Sequence, residues 1–495
     1  MMEPNSLCGH RNISMLMDLY ELTMTNGFYL LGKGGKPTVY DMFYRRNPDN
    51  GGFTIFAGLE QMLEFIECFH FTERDIDYLR NLGLFADKFL DYLRDFRFTG
   101  DIYAFPEGTV AYPDEPIVTV VAPLIEAQII ETAMLSQFNH QSLIATKANR
   151  IVRAARGKEV ADMGARRAHN ADAAIYGARA AYIGGVSATA TVISGEMFGI
   201  PVTGTMAHSW IMSFESEYEA FKAYAEIYGS RSVFLVDTYN TLESGVPDAI
   251  RVFHDVLEPR GERLRGIRID SGDIASLSKK ARKMLDEAGM TDCLIVASNS
   301  LDEGTIGSIL SQGGCIDIFG VGERLITAKS DSTFGGVYKL TAIDRNGIWE
   351  PKIKISDNVT KITNPGLKSV YRVFDSEGLS VGELITHHSD SLPDLSKLEC
   401  VSPDKPWQHI SLAGCRLRPL QVKVMERGQR LYPKAQLSDI RDYVKRQLAT
   451  EVRPEEQRFY NPDIHPLLMS RAYYDMKVAL LRNIEEESRH NNSSR

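Results

Sequence analysis

The sequence predicts an α/β protein whose centre is a parallel sheet covered by helices. Two patterns carry that prediction. Between Lys158 and Thr327 short apolar runs alternate with helical segments, and strands separated by helices form parallel crossovers. On either side of this stretch the apolar period drops to two and Gly and Pro interrupt it, the mark of antiparallel strands. About six strand–helix units in series favour a barrel over an open sheet.

Composition narrows the class further. A chain of 495 residues, 43% hydrophobic and 24% charged, has the makeup of a soluble globular protein with room for two or three domains. No run approaches the roughly 20 apolar residues needed to cross a bilayer. The start, MMEPNSLCGHRN, lacks a basic-then-apolar signal, so a cytoplasmic location is expected. Six scattered cysteines without a CxxC pair argue against a zinc site or a disulfide framework. A net charge of -9 disfavours nucleic acid or an anionic membrane as partner, while leaving local basic pockets for small anions.

In chain order, residues 14–29 place Leu16, Leu19, Tyr20, Thr23 and Met24 at helical spacing behind Ser14 as N-cap. Residues 37–56 alternate around the turn signal NPDNGG as a hairpin would. Helices are expected at 59–69, at 72–82 capped by Thr72, and at 86–96. Residues 100–123 read as antiparallel strands, and 124–156, without interior Gly or Pro, as a long helix. Central strands are expected near Val160, Val202, Phe234, Ile267, Ile295 and Ile318, with helices at 171–183, 216–228, 246–257, 274–288 and 301–311. After Gly335 the chain turns β again through GGVYKLTAI, WEPKIKIS and KSVYRVF. Residues 392–424 read as a loop-rich connection and 434–487 as helical. The resulting division is 1–157, 158–334 and 335–495.

Polar residues gather at the carboxyl end of nearly every central strand. They are Asp162, Gly164, Arg166 and Arg167; Gly204, Thr205 and His208; Asp237, Thr238 and Asn240; Arg268, Asp270, Ser271 and Asp273; Ser298 and Asn299; Gly320, Gly322 and Glu323. Equivalent strand ends converge on one mouth, where barrel folds build their sites. Arginine forks beside the glycine-rich FGVG suit phosphate. Asp237, Asp270 and Asp273 next to them suit a sugar diol, a Mg²⁺ shared with phosphates, or a developing positive charge. One such charge alone would be an ordinary solvated strand end; the convergent set points to a pocket for a phosphorylated ligand. Within PVTGTMAHSWI, His208 is read as standing at the end of a buried apolar run, at a strand-to-helix junction, with the helix beginning at 213.

DMGARR at Asp162, GTMAHS at Gly204, VDTYN at Val236, IRIDSGD at Ile267, ASNSLDE at Ala297, FGVGERLIT at Phe319 and GGVYKL at Gly335, with DLYELTM near the N-terminus, closely resemble nicotinate phosphoribosyltransferases. The resemblance covers most of residues 10–345 and is less distinctive beyond Val370. It implies an incomplete parallel α/β barrel of the type II phosphoribosyltransferase kind, with an additional α+β domain in which the C-terminal segments pack back on the N-terminal portion. It also implies a head-to-tail homodimer with shared sites. The implied reaction joins nicotinate to phosphoribosyl pyrophosphate, giving nicotinate mononucleotide and pyrophosphate in NAD salvage while ATP is hydrolysed.

Carried over motif by motif, the resemblance makes His208 the residue transiently phosphorylated by ATP, oriented by Asp237. Arg166 would hold the nicotinate carboxylate or the product phosphate, and the partner subunit's Tyr20 would stack on the pyridine ring. Arg268 and Asp270 would bind pyrophosphate or ribose, with Thr205 beside the substrate. Ser298, Asn299, Gly320 and Gly322 would bind the 5′-phosphate, and Mg²⁺ would come with the pyrophosphate, near Asp273. Ser187, aligned through GGVSATAT with an aspartate of nicotinamide-using relatives, favours the acid, because an aspartate would repel a carboxylate and a hydroxyl would not. The alternatives are nicotinamide or quinolinate phosphoribosyl transfer on the same fold, and a non-catalytic nucleotide-binding descendant. Quinolinate transfer would need no ATP, and the retained His208, Arg268 and Asp270 argue against loss of catalysis.

Overall fold

Parallel strands joined by capped helices form one of two units in this computed structural model, which describes residues 12–354, 362–390 and 395–493. That unit runs from Ile144 to Ser332. Its strands are β1 (Glu159–Asp162), β2 (Ala188–Thr189), β3 (Val233–Leu235), β4 (Gly266–Ile269), β5 (Leu294–Ala297) and β6 (Ile318–Val321), in the order β2-β1-β6-β5-β4-β3. Every neighbouring pair is parallel. Val202 adds one parallel bridge beyond β2, to Thr189. The order is cyclic, and among the described residues no pairing joins Val202 to β3, so the barrel is incomplete.

Two expectations change here. The expected strand at Val202 is a single bridge, and β2 takes the place beside β1. Two small residues, Ala188 and Thr189, carry no periodicity from which a strand could be read. The crossover helices come as anticipated because their caps are explicit in the sequence. Asn170 accepts from Ala173 N–H, Ser216 from Glu219 N–H, and Asp302 forms a capping box with Thr305. Between β3 and β4 the helix Val246–Val252 is flanked by π-turns at Thr241–Gly245 and Phe253–Leu257. Apolar strand residues such as Phe234, Ile267, Ile295 and Phe319 are fully buried, as expected for a sheet covered by helices.

The other unit comprises Met1–Leu143 and Thr333–Arg495. Its seven-stranded sheet runs Ile348–Pro351, Gly336–Arg345, Pro37–Tyr44, Val118–Pro123, Asp101–Ala104, Val422–Glu426, Gln429–Arg430. Pro37–Tyr44 therefore does not form the expected hairpin; it pairs antiparallel with Gly336–Arg345 and with Val118–Pro123. Every residue of that strand after Pro37 is buried, so it needs a neighbour on each side. Thr54–Ile55, the other supposed arm, pairs with Val110–Ala111. At the N-terminus the helix is Leu19–Leu30 with Asp18 at its N-cap. Ser14 does not cap it; its buried hydroxyl accepts from the His70 N–H at 3.0 Å. Thr72 does cap Glu73–Asn81, through a capping box with Asp75.

The expected loop at 392–424 is also corrected: residues 391–394 lie outside the described ones, and the rest carries strands at Glu399–Ser402, Lys405–Ser411, Arg416–Pro419 and Val422–Glu426. The first three join a second sheet with Leu467–Ser470, Ser380–His387 and Lys368–Phe374. Their residues are largely polar or exposed, so pairing with neighbours, rather than an apolar pattern, makes them strands. None of the five described cysteines is in a disulfide. No helix among the described residues is long and apolar enough to cross a membrane.

A buried ionic network ties N- and C-terminal segments of this unit. Arg372 Nε donates to Glu383 at 2.8 Å and Nη2 to the Val110 carbonyl at 2.6 Å. His465 lies 3.0 Å from Glu456 and 3.4 Å from Glu383 and stacks on Tyr112, whose hydroxyl donates to Glu456. Buried charges of this kind persist only when mutually paired. Burial opposes the imidazolium, but Glu383 and Glu456 outweigh it and hold His465 above the usual 6.5. Its contribution to stability is complete below the unfolded value and is lost as pH rises through the folded one. The melting temperature is thus expected to fall as pH rises above the usual histidine value of 6.5. His465→Gln should flatten that slope in a calorimetric pH series, and an unchanged slope would count against the pairing.

Candidate active site

The strand ends of the central unit meet through two linked carboxylates. Asp237, two residues beyond β3, has a side chain only 1% exposed. It accepts from the Asp270 N–H at 3.0 Å and the Ser271 hydroxyl at 2.5 Å, and its other oxygen lies 3.3 Å from His208 Nε2. Asp270, directly after β4, accepts from Arg268 Nη2 at 2.8 Å and from the Ser298 hydroxyl. Arg268 also donates to Ser298 Oγ at 2.8 Å and to Thr205 Oγ1 at 3.0 Å. One guanidinium thus joins β4, the end of β5 and the segment before His208, as a planar fork with five donors can.

His208 is the first residue of a short helix, His208–Met212, not the last of a buried strand. The run before it is open: Pro201, Val202 and Gly204 are exposed. The next helix begins at Glu217 rather than 213. Trp210 anchors the short helix, donating Nε1–H to the Ala220 carbonyl at 3.0 Å and packing its ring 4.9 Å from Phe214. The His208 side chain stays 39% exposed. Its Nε2 faces Asp237, and Nδ1 has no hydrogen-bond partner among the described residues.

Two adjoining cavities open at this mouth. The larger, about 540 Å³, is lined by His208, Thr205, Met206 and Leu235 together with Val192 and Val202. The smaller, about 250 Å³, is lined by Arg167, Ser298, Asn299, Ser300, Gly320, Gly322, Glu323, Arg324 and Lys329. Met163, Arg166, Arg268 and Asp270 line both. The smaller cavity has five cationic side chains against two acidic ones, which makes it a site for a multiply charged anion. The larger mixes apolar walls with a few polar groups, as a flat ring and a sugar require. Asn299 and Ser300 are both left-handed, at φ 81° and 50°, a strained arrangement of the kind that concentrates at ligand sites.

Most of the residues singled out in the sequence converge here. His208, Asp237, Asp270, Arg166, Thr205, Arg268, Ser298, Asn299, Gly320 and Gly322 line the cavities or bond to residues that do. Ser187 does not: it lines neither cavity, and its hydroxyl donates to the Val160 carbonyl at 3.0 Å. Asp273 is likewise outside them, capping the helix Ile274–Glu287 by accepting from Ser276 N–H at 3.0 Å. Tyr20 belongs to the other unit, 42% exposed on its helix; burial of its hydroxyl and the Glu131 carboxylate push its pKa up. Met163, Ser300, Arg324 and Lys329 were missed. Arg324 and Lys329 could have been found as basic residues just past FGVG, whereas nothing in the sequence marks Met163.

Models of the nicotinate phosphoribosyltransferase N-terminal domain, of the nicotinate phosphoribosyltransferase family and of the nicotinate phosphoribosyltransferase C-terminal domain match residues 15–139, 158–378 and 367–477. A nicotinate phosphoribosyltransferase of Bacillus subtilis is 43% identical over 478 residues, 96% of each chain. The chain belongs to the nicotinate phosphoribosyltransferase family. The human nicotinate phosphoribosyltransferase is 27% identical over 514 residues, 92% of this chain and 94% of that one. A crystal structure of the human nicotinic acid phosphoribosyltransferase superposes with a TM-score of 0.84 at 26% identity, covering 94% and 100% of the two chains. A nicotinate-nucleotide pyrophosphorylase from Pyrococcus furiosus shares the fold, with a TM-score of 0.67 at 23% identity over 89% of this chain and 96% of that one.

Gly320 shows how closely this nicotinate phosphoribosyltransferase site is packed. A Cβ there would sit 2.5 Å from Met163 Sδ, the flexible end of a side chain that lines both cavities. Gly320→Ala is therefore expected to be accommodated by the fold, with the melting temperature lowered by no more than about 4 °C. The displaced Met163 should weaken binding of phosphorylated ligands roughly tenfold, read by titration calorimetry; unchanged affinity would show that Met163 moves away from the cavities.

Proposed function

We propose that this member of the family joins nicotinate to phosphoribosyl pyrophosphate at the sheet mouth, releasing nicotinate mononucleotide and pyrophosphate, and couples ATP hydrolysis to the step through phosphorylation of His208. The observation that carries the reading is the pair of adjoining cavities, one cationic and one able to take a ring and a sugar, which share Arg268 and Asp270, with His208 lining the larger.

In ribosyl transfer the pyridine nitrogen bonds to the anomeric carbon as the carbon–oxygen bond to pyrophosphate breaks, through an oxocarbenium-like state. Pyrophosphate is already a good leaving group, so the protein has to align and stabilise rather than move protons. Asp270 puts negative charge beside the sugar while Arg268 faces the diphosphate. Ser298, Asn299, Gly320 and Gly322 line the smaller cavity, where the 5′-phosphate fits. Arg166 makes no hydrogen bond or ion pair among the described residues and lines both cavities, which leaves its fork for the nicotinate carboxylate or the product phosphate. Preference for the acid therefore rests on Arg166, since Ser187 is turned to the Val160 carbonyl.

For energy coupling, His208 Nδ1 attacks the γ-phosphorus of ATP, forming an N–P bond as the bond to ADP breaks. Asp237 holds Nε2–H and offsets the positive charge that develops on the ring; water then cleaves the N–P bond and restores His208. Among the described residues no group of three or more His, Cys, Asp and Glu is arranged to hold a metal ion. Mg²⁺ brought in by the substrate phosphates would need only one or two carboxylates, and Asp270 lines both cavities in which those phosphates would lie. When bound, the ion neutralises charge on the leaving diphosphate. The partner subunit's Tyr20 would stack on the pyridine ring. Leu16, Leu19, Tyr20 and Met24 are each at least 39% exposed, an apolar face of the kind a second subunit covers.

His208→Asn is expected to abolish ATP hydrolysis and phosphoenzyme formation while leaving slow, ATP-independent ribosyl transfer. Asp237→Asn should lower the phosphoenzyme yield by about 10²-fold or more. Trapping with γ-labelled ATP reads both, and an unchanged ATPase in His208→Asn would overturn the role. Nicotinate should be used far better than nicotinamide; equal or better turnover of the amide would refute the assignment of Arg166.

A further inference from the structure

We infer that Asp302 is a positioning residue for the anion cavity, holding Arg324 in place over it from the neighbouring strand end. The inference rests on the smaller cavity being the phosphate site. Arg324 lines that cavity and projects from the four-residue helix Glu323–Ile326, just after β6. Its Nη1 is ion-paired to Asp302 Oδ2, and among the described residues the guanidinium makes no other hydrogen bond or ion pair, so its remaining donors are available to a ligand.

Asp302 lies in the loop after β5, two residues beyond the left-handed Asn299 and Ser300. Its other oxygen, Oδ1, accepts from the Thr305 N–H at 2.8 Å and hydroxyl at 2.9 Å, and its own N–H donates to Thr305 Oγ1 at 2.7 Å. The carboxylate therefore cannot swing: one oxygen is locked into the helix cap and the other is left pointing at Arg324. Burial raises the carboxyl, but Thr305 and Arg324 bring it below its usual range, so it is charged at neutral pH. Asp302 itself does not line the cavity. It stands behind Arg324, supplying orientation without presenting an oxygen to an incoming phosphate.

The arrangement differs from the other cations of the cavity. Lys329 pairs with Glu323 of its own loop, and Arg268 pairs with Asp270 two residues along. The Asp302–Arg324 pair instead spans the loops after β5 and β6, so it sets the separation of two cavity walls. A long arginine side chain released from such a pair loses its preferred geometry toward a phosphate.

The test separates cap from ion pair. Asparagine caps a helix as well as aspartate does, so Asp302→Asn keeps the cap and removes the charge, while Thr305→Ala damages the capping box and leaves the pair. Asp302→Asn is expected to raise KM for phosphoribosyl pyrophosphate ~5–10-fold, with kcat within about twofold and the melting temperature within about 2 °C. Arg324→Gln should raise that KM at least ~10-fold, and the double variant should be no worse than Arg324→Gln alone. Thr305→Ala should lower the melting temperature with that KM unchanged. If Arg324→Gln weakens phosphoribosyl pyrophosphate binding and Asp302→Asn does not, or the two effects simply add, the inference fails and the phosphate cavity stands. If neither Arg324→Gln nor Arg268→Gln alters that KM, the cavity reading fails and takes the inference with it.

Discussion

The Asp237 carboxylate is the constraint on which the rest of the mouth depends. It is a nearly inaccessible charge at the end of β3, and such a group persists only when donors replace its lost hydration. The donors come from elsewhere in the unit: the Asp270 backbone and the Ser271 hydroxyl from beyond β4, and the His208 ring from the segment after the Val202 bridge. Satisfying Asp237 therefore brings together exactly the edges between which the sheet is unpaired. It also fixes the backbone of Asp270, whose side chain carries the order onward through Arg268 to Ser298 and Thr205.

Division of the mouth into two cavities follows from that chain of bonds. Arg268 and Asp270 stand between them, so a ligand that reaches from the cationic side to the apolar side must pass a paired acid and base. A phosphorylated sugar carrying a leaving group has that shape and charge distribution. The cations of the smaller cavity do not repel one another out of position, because Arg268, Arg324 and Lys329 each have an acidic partner. Arg166 and Arg167 make no ion pair among the described residues, and of the two Arg166 is the one placed to meet an anion in either cavity.

Helix starts were legible wherever a cap is local. Thr72, Asn170 and Ser216 each bond a backbone N–H three residues ahead, an interaction written into four consecutive residues. The polar clusters at strand ends were legible for a related reason: a parallel strand has its functional end at its C-terminus, so direction of chain implies side of sheet. Asp273 shows where that logic stops. It follows β4 in sequence as closely as the site demands, but its carboxylate is used as a helix cap, and capping and ligand binding draw on the same residue type. Ser187 failed differently, since its placement depends on a two-residue strand that leaves no pattern.

Strand partnership was the part least accessible to a linear reading. An alternating segment states which face is buried but not which neighbour supplies its hydrogen bonds. Residues 37–56 looked like a hairpin because a turn signal separates two alternating runs, yet Pro37–Tyr44 finds its partners some 80 and 300 residues away. Local periodicity, caps and polar strand ends were enough to specify the α/β class and most residues of the mouth, and the order of motifs was enough for the nicotinate phosphoribosyltransferase resemblance that implied an incomplete barrel, because each of these signals is encoded within a few consecutive positions. Register, the gap beside Val202, the turning of Ser187 and Asp273 away from the cavities, and the joining of Asp302 to Arg324 depend on groups distant in sequence competing for the same donors and acceptors, and folding alone resolves that competition.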